Sequence, residues 1–590
     1  MLVLASCANK GMGPQGGPKD SIPPIALKAD PELGALEFTG KRVEITFNEY
    51  IQLNDLASNL LMSPPQQNPP DVKARGKRLV VQFQDSLRDS TTYTIDFGNA
   101  VCDYTEKNPI HGFYFYFSTG SEIDTLEQIG RVFDASNLNP LQGIYVGIHN
   151  NMADSAFERQ TFLRVAKTDS AGMFRISNIH PGTYRLYAVD DISKDYRLTP
   201  GESLAFADEP IRVDGRATDS TSVLPDSVEV PVLGMFLFKE EQQKLYLQRT
   251  LREQQHCVQL LFSAPQDSML SWRVLPPSAV DSTRSDSAWI DPTPYIFTHC
   301  NTLGDTVSLW LTDSIAILQD SLFLEARYRR TDSLFQLEWY IDTLRAVYRA
   351  PKLNSKAREA KEREARNRRL TLKTNARKGF ELYDTLRLTC TTPLASIEPD
   401  SIHLLEKVDT LRKPVPFTIA SHDTLPMELK FIATLKEGAS YELRMDSGAL
   451  HDIFGTTHID ANYPLQLKTK EDYSTLRVFL TPFEPQARIQ LLDSKDKVVR
   501  ELPAAEGGTL FEYLKPETYY LRLYLDWNGD GKWTTGKWSL KRQPEPVYYY
   551  PNKVQTKSNW DFEETWDYTT VPQTQSKPAE LIKASNGKKK

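Results

Sequence analysis

Cysteine is scarce in this chain, five in 590 residues, and what there is excludes several classes of protein. Cys102, Cys257, Cys300 and Cys390 lie far apart and form no CxxC pair, so zinc ribbons and dithiol redox motifs are excluded. No apolar run approaches the roughly 20 residues that cross a bilayer as a helix. Positive charge is not in excess: 70 Lys and Arg against 77 Asp and Glu leave a net charge of -7, which argues against nucleic acid as a partner. There is no G-x-S-x-G, no H-E-x-x-H, no P-loop and no G-x-G-x-x-G. The nine His are scattered, with no i, i+4 pair on a plausible helix. An enzyme is therefore not expected.

What is abundant points to strands. The chain has 26 Tyr, 26 Phe and 9 Trp, with many Thr and Val. Its length calls for roughly four or five domains. Hydrophobic periodicity of two recurs throughout. Val43, Ile45 and Phe47 alternate with polar residues; so do Leu79, Val81 and Phe83, then Tyr93, Ile95 and Phe97. The predicted class is all-β: a multi-domain string of antiparallel β-sandwiches with a short charged helical linker.

Two internal duplications organise that string. Pro181, Thr183, Tyr184, Leu186, Asp191, Asp195, Thr199 and Gly201 align without a gap on Pro516, Thr518, Tyr519, Leu521, Asp526, Asp530, Thr534 and Gly536. Leu79, Phe83, Leu87 and Tyr93 align likewise on Met427, Phe431, Leu435 and Tyr441, with Asp103 and Asp452 in following turns. The expected units are 1–24, a tether; 25–120, a sandwich; 126–223, a second kind of sandwich; 226–350, a further β-sandwich; 351–376, a charged helical linker with no apolar stripe; 377–469, a copy of the first; 471–548, a copy of the second; and 549–590, a C-terminal strand and disordered tail.

Three resemblances follow. The run from Val43 to Asn48, the strand pair between Leu79 and Tyr93, and the turn from Gly98 to Asp103 resemble bacterial Ig-like domains. The turn at Thr168 to Gly172, and Pro181-Gly182 leading into Tyr184 to Val189, resemble transthyretin-like (carboxypeptidase-regulatory-like) sandwiches. Leu4-Ala5-Ser6-Cys7 resembles a lipobox, in which small residues admit a peptidase and the thiol of Cys7 carries the lipid; only a stub precedes it. The Gly-, Pro- and Lys-rich segment after Cys7 suits a tether. The ensemble is similar to Ig-like-domain lipoproteins of the Bacteroidota cell envelope. That resemblance implies an outer-membrane protein held by a lipid anchor, on the periplasmic face or the cell surface, with other envelope proteins as partners.

Two questions stay open in the sequence. Cys257 and Cys300 could pair as a disulfide or remain two thiols. Asp526, Asn528 and Asp530, with Gly531, match the opening of a calcium loop, in which alternate oxygens converge on a hard cation. Asp191, Ser193, Asp195 and Glu202 repeat the spacing. Lys537 stands where the first copy has Glu202, and Tyr196 where the second has Gly531. The other reading of both loops is an Asx turn closed by its own carboxylate. The expected function is a non-enzymatic scaffold or interaction lipoprotein, one version of which is an accessory subunit of an outer-membrane assembly or secretion machine. The alternative is an adhesin or carbohydrate-binding protein using Trp527, Trp533 and Trp538.

Overall fold

The computed structural model describes residues 20–214, 233–240, 245–266, 271–275, 296–301, 304–332, 336–349, 369–421 and 426–583. Cys7 and most of the charged linker lie outside these. The described chain is almost wholly strand, as its alternating burial requires: Val43, Ile45 and Phe47 are buried while Arg42, Glu44 and Thr46 face outward.

The first unit packs a four-stranded sheet (Ala26–Asp30, Arg42–Phe47, Arg78–Gln82, Asp71–Arg75) on a three-stranded one (Leu61–Ser63, Thr92–Gly98, Phe113–Ser118). Phe47, Leu79, Tyr93, Ile95, Phe97 and Phe117 fill the space between them. The copy, with its core around Phe380, Leu388, Leu429, Tyr441 and Leu443, repeats the details. Arg88 N donates to the Tyr93 hydroxyl at 2.6 Å, and Lys436 N to the Tyr441 hydroxyl at 2.8 Å. In both, a buried tyrosine ties down the backbone five residues upstream. The copy begins earlier than expected. Leu370 is buried, and Leu372–Thr374, expected to be linker helix, pairs as a strand with Leu386–Cys390. Alternation of Leu370, Leu372 and Thr374 with polar residues is a strand pattern that the charged run before it obscured.

The second kind of module has one topology in both copies. Leu126–Asp134 lies between Met173–Ile179 and Leu233–Leu237, and Ser474–Thr481 between Thr509–Leu514 and Asp561–Asp567. The last strand of each trio is parallel to the central one. On the opposing sheets, Tyr145–His149 and Gly182–Val189 correspond to Ala487–Leu492 and Thr518–Leu525. Both closing strands lie beyond the limits the sequence suggested, 223 and 548. Each arrives after a long connection, and no local pattern announces a partner so distant in the chain.

The tail expected to be disordered is ordered through Lys583. Leu581 is 2% exposed and Ser576 2% exposed. A polar composition concealed a segment that docks through a few specific contacts.

The unit between the module pairs is a sandwich of Leu247–Gln254, Cys257–Phe262, Thr306–Leu311 and Ile296–Cys300 against Ser271–Leu275, Ser321–Thr331 and Leu337–Val347. Its register settles the thiols. Cys257 and Phe297 both oppose Trp310, from either side, whereas Cys300 opposes Val307. Two strand spacings and three residues of offset separate the two cysteines by more than about 10 Å, beyond the roughly 7 Å limit for a bridge. Neither is in a disulfide, and burial raises the pKa of the Cys257 thiol to about 12.

Candidate functional site

The duplicated loops sit at the ends of the strands Gly182–Val189 and Thr518–Leu525. In the first, the Asp191 carboxylate is buried and turned inward on its own loop. Oδ1 accepts from the Ser193 hydroxyl at 3.0 Å and from Lys194 N at 2.6 Å, and Oδ2 from Tyr196 N at 2.8 Å. In the second, Asp526 Oδ1 accepts from Gly529 N at 2.8 Å and Asp530 N at 3.1 Å, and Oδ2 from Gly531 N at 2.8 Å. Asp195 lies against Arg197 at 2.7 Å, and Asn528 reaches Thr534 Oγ1 at 2.7 Å. The shared spacing is thus the spacing of an Asx-type turn, with backbone N–H groups where a cation would sit.

A second carboxylate braces each loop from outside. Glu202 accepts from Ile192 N at 2.8 Å and Thr199 N at 3.0 Å. Glu545 accepts from Trp527 N at 2.9 Å and Thr534 N at 2.8 Å. Ile192 and Thr199 are the alignment partners of Trp527 and Thr534. The role of Glu202 is therefore kept, and its residue has moved to position 545. Burial and the neighbouring Asp526 charge raise the Glu545 carboxyl above its ordinary value, against the pull of its N–H donors.

These oxygens do not fit a calcium cage. Their lone pairs meet N–H hydrogens, and among the described residues no group of three or more His, Cys, Asp or Glu is arranged to hold a metal. The same turn closes the other pair of units. Asp103 accepts from Glu106 N at 2.6 Å and Asn108 N at 2.8 Å, and Asp452 from Thr456 N at 2.7 Å. Burial alone would raise Asp103; its four backbone donors outweigh that and hold it below the usual carboxylate range.

What the braced loops position is a contact between the two copies. Past its loop, the second copy presents Trp538, 7% exposed. Its ring stands edge-on to Phe157 and Tyr187 at 5.4 and 5.7 Å. Its Nε1 donates to Glu158 Oε1 at 2.8 Å, and its backbone N to Glu240. Thr535 Oγ1 reaches the Lys239 carbonyl at 2.9 Å, and Gln543 the Phe206 carbonyl at 2.9 Å. On the other flank Lys577 enters a buried pocket and meets Asp496 at 2.7 Å, the Asn137 carbonyl at 2.7 Å and Asn139 Oδ1 at 2.8 Å. Of the three tryptophans considered for sugar stacking, Trp538 is consumed by this contact. Trp533 donates Nε1 to the Glu545 carbonyl at 2.9 Å, and Trp527 alone is half exposed. They form no shared platform.

Neighbouring units are also fastened. Arg164, 6% exposed, pairs with Asp124 at 3.0 Å and reaches the Thr92 carbonyl. Buried Glu381 collects the Tyr473 hydroxyl at 2.7 Å, Lys468 at 3.1 Å and Lys515 at 3.2 Å. Neither Arg164 nor Glu381 was singled out in the sequence; each becomes visible only when distant segments meet.

Fold and joints together define a protein built of interlocked β-sandwiches. Within it, residues 20–119 match the family model described as bacterial Ig-like domain. No curated protein matches the chain. Among solved structures, the chain is similar to the S-layer protein rSbsC, at 10% identity and a TM-score of 0.13 over 85% of this chain. It spans 64% of that S-layer chain. It is also similar to BcpA, the major pilin subunit of Bacillus cereus, at 9% identity and a TM-score of 0.13, over 75% of this chain and 99% of the pilin. A third is alpha-2-macroglobulin from Escherichia coli, spanning domains MG0-NIE-MG1, at 10% identity and a TM-score of 0.16, over 53% and 97% of the two chains. At these identities and scores they say nothing of what this chain binds.

Proposed function

We propose that this protein is a non-enzymatic scaffold lipoprotein of the bacterial cell envelope. In this reading it is anchored in the outer membrane through lipid on Cys7 and holds other envelope proteins in a fixed arrangement. The observation that supports it most is the contact between the two transthyretin-like modules. Burying Trp538 and the Lys577–Asp496 pair between segments hundreds of residues apart makes a stiff frame, and a stiff frame orients partners without losing conformational entropy on each encounter. No helix of the described residues is long and apolar enough to cross a membrane.

The test has two arms. Labelling cells with a palmitate analogue should mark the protein, and Cys7→Ser should abolish the label and release the protein from the membrane fraction. Purification from membranes in mild detergent should then recover stoichiometric partners. Absence of label on the unaltered protein would refute the anchor. Recovery of the protein alone under cross-linking would refute the scaffold.

A further inference from the structure

The first two units enclose a cleft of about 450 Å3 that the frame itself does not use. One wall is the outward face of a sheet. In register there, Asp96 lies between Leu61 and Tyr114, and Thr94 between Ser63 and Tyr116. The Tyr114 and Tyr116 rings lie side by side on the strand, their centroids 6.3 Å apart and their planes 21° from parallel. Tyr114 is 57% exposed. Inward neighbours Phe113, Phe115 and Phe117 explain why this strand is aromatic on its core side; nothing in the core requires aromatics on its outer side. The opposite wall belongs to the next module. It carries Arg175, held to both oxygens of Glu127 at 3.1 Å, and Asn178, which accepts from the Thr94 hydroxyl at 2.7 Å.

The cleft is held open rather than left unpacked. Val165 N donates to Ser63 Oγ at 3.1 Å, and Arg164 bridges to Thr92 and Asp124, so the spacing of the walls is fixed on that side. Asp96 lines the cleft and accepts the Gly98 N–H on Oδ1 at 2.8 Å. The surrounding protein raises its carboxyl above the ordinary value, although the side chain stays open to water. The volume falls in the roughly 300–1,000 Å3 typical of small-ligand sites.

We propose that this cleft is a carbohydrate site that takes a short stretch of β-1,4-linked oligosaccharide, its sugar faces on Tyr114 and Tyr116 and its hydroxyls on Asp96. Sugars with equatorial substituents expose flat C–H faces, which suit the electron-rich face of an exposed ring such as Tyr114, backed by the nearly parallel ring of Tyr116. A carboxylate accepts two hydroxyl donors at once, and the guanidinium N–H groups of Arg175 not spent on Glu127 donate to ring or hydroxyl oxygens. A cationic peptide would also be drawn to Asp96 and the rings. The opposing guanidinium disfavours it. The site does not depend on the anchor or scaffold reading, since it concerns the first two units alone.

Calorimetric titration of the full chain with the β-1,4 tetramers of N-acetylglucosamine and of glucose, and with tetralysine, decides the matter. Saturable binding of at least one tetramer is expected. Tyr114→Ala should weaken it about tenfold, and Asp96→Asn several-fold. Tyr104→Ala, an exposed tyrosine outside the cleft lining, should leave it unchanged. Melting curves matching the parent show that the variants fold. Three results would overturn the proposal: no saturable heat with either sugar, binding insensitive to Tyr114→Ala in a folded variant, or binding of tetralysine in preference to both sugars.

Discussion

Trp538 Nε1 lies 2.8 Å from Glu158 Oε1, and the two residues are 380 positions apart in the chain. The contact joins the second copy of a duplicated module to the first, so the order of units along the chain is not their order in space. Trp538 fills a space among Phe157, Tyr187 and Phe206. Trp538→Ala should cost about 3–5 kcal/mol, the usual range for deleting a buried aromatic. Because the loss falls on a joint between domains, differential scanning calorimetry should show the parent's main transition splitting or broadening. A uniform downward shift of one sharp transition would contradict the role assigned to the joint.

Lys577 and Asp496 are 4% and 3% exposed, and the lysine amine is also held by two groups from the other module. Desolvation lowers the Lys577 ammonium from its usual value even with Asp496 beside it. Asp496→Ala leaves a buried cation unpaired and should destabilise by about 3–5 kcal/mol; the double variant with Lys577→Met should recover much of that, as replacement of buried pairs by apolar residues often does. Urea denaturation of the two single variants and the double variant measures the coupling.

Much of this architecture was legible in the sequence, for a physical reason. Alternation such as Val43, Ile45, Phe47 records which face of a strand is buried, and gap-free repeats record two modules with one framework. Neither device reports a partner distant in sequence. The strands Leu233–Leu237 and Asp561–Asp567 are set by parallel pairing across long connections. Lys577 looks like any tail lysine until Asp496 is placed beside it. Glu545 was invisible for another reason. The alignment fixed attention on Lys537, and the N–H groups of Trp527 and Thr534 require only that a carboxylate arrive in space. Tyr114 and Tyr116 were absorbed into an aromatic strand whose inner face was the one that periodicity explains.

The loop geometry predicts how Asp526 and Glu545 respond to substitution. Asp526→Ala leaves the Gly529 and Gly531 N–H groups in a half-buried turn without their acceptor, while Asp530 N keeps Asn528 Oδ1. A loss of about 1–3 kcal/mol is expected. Glu545→Gln keeps one acceptor oxygen and should cost less than Glu545→Ala. Calcium should neither restore stability to these variants nor raise the melting temperature of the parent. A calcium-dependent rise in the parent, lost in Asp526→Ala, would show that the carboxylates can turn from their N–H donors to a cation.

His149 gives the clearest dependence on pH. It is 2% exposed, beside the Phe162 and Tyr187 rings, and its Nε2 has no hydrogen-bond partner among the described residues. Burial lowers its pKa from 6.5 to about 4. The folded protein therefore keeps the imidazole neutral where the unfolded chain would charge it. The stability linked to this group is fully present above pH 6.5 and is lost as pH falls through that value toward 4. With a shift of this size, the loss approaches about 3 kcal/mol at the acid end of the window. His149→Leu should flatten this part of the stability profile between pH 6.5 and 4 while the carboxylates titrate as before. Denaturation midpoints of parent and variant, measured side by side at several pH values, give the difference directly. Parallel profiles would mean that the imidazole is charged in the folded state, against the apolar ring contacts that enclose it.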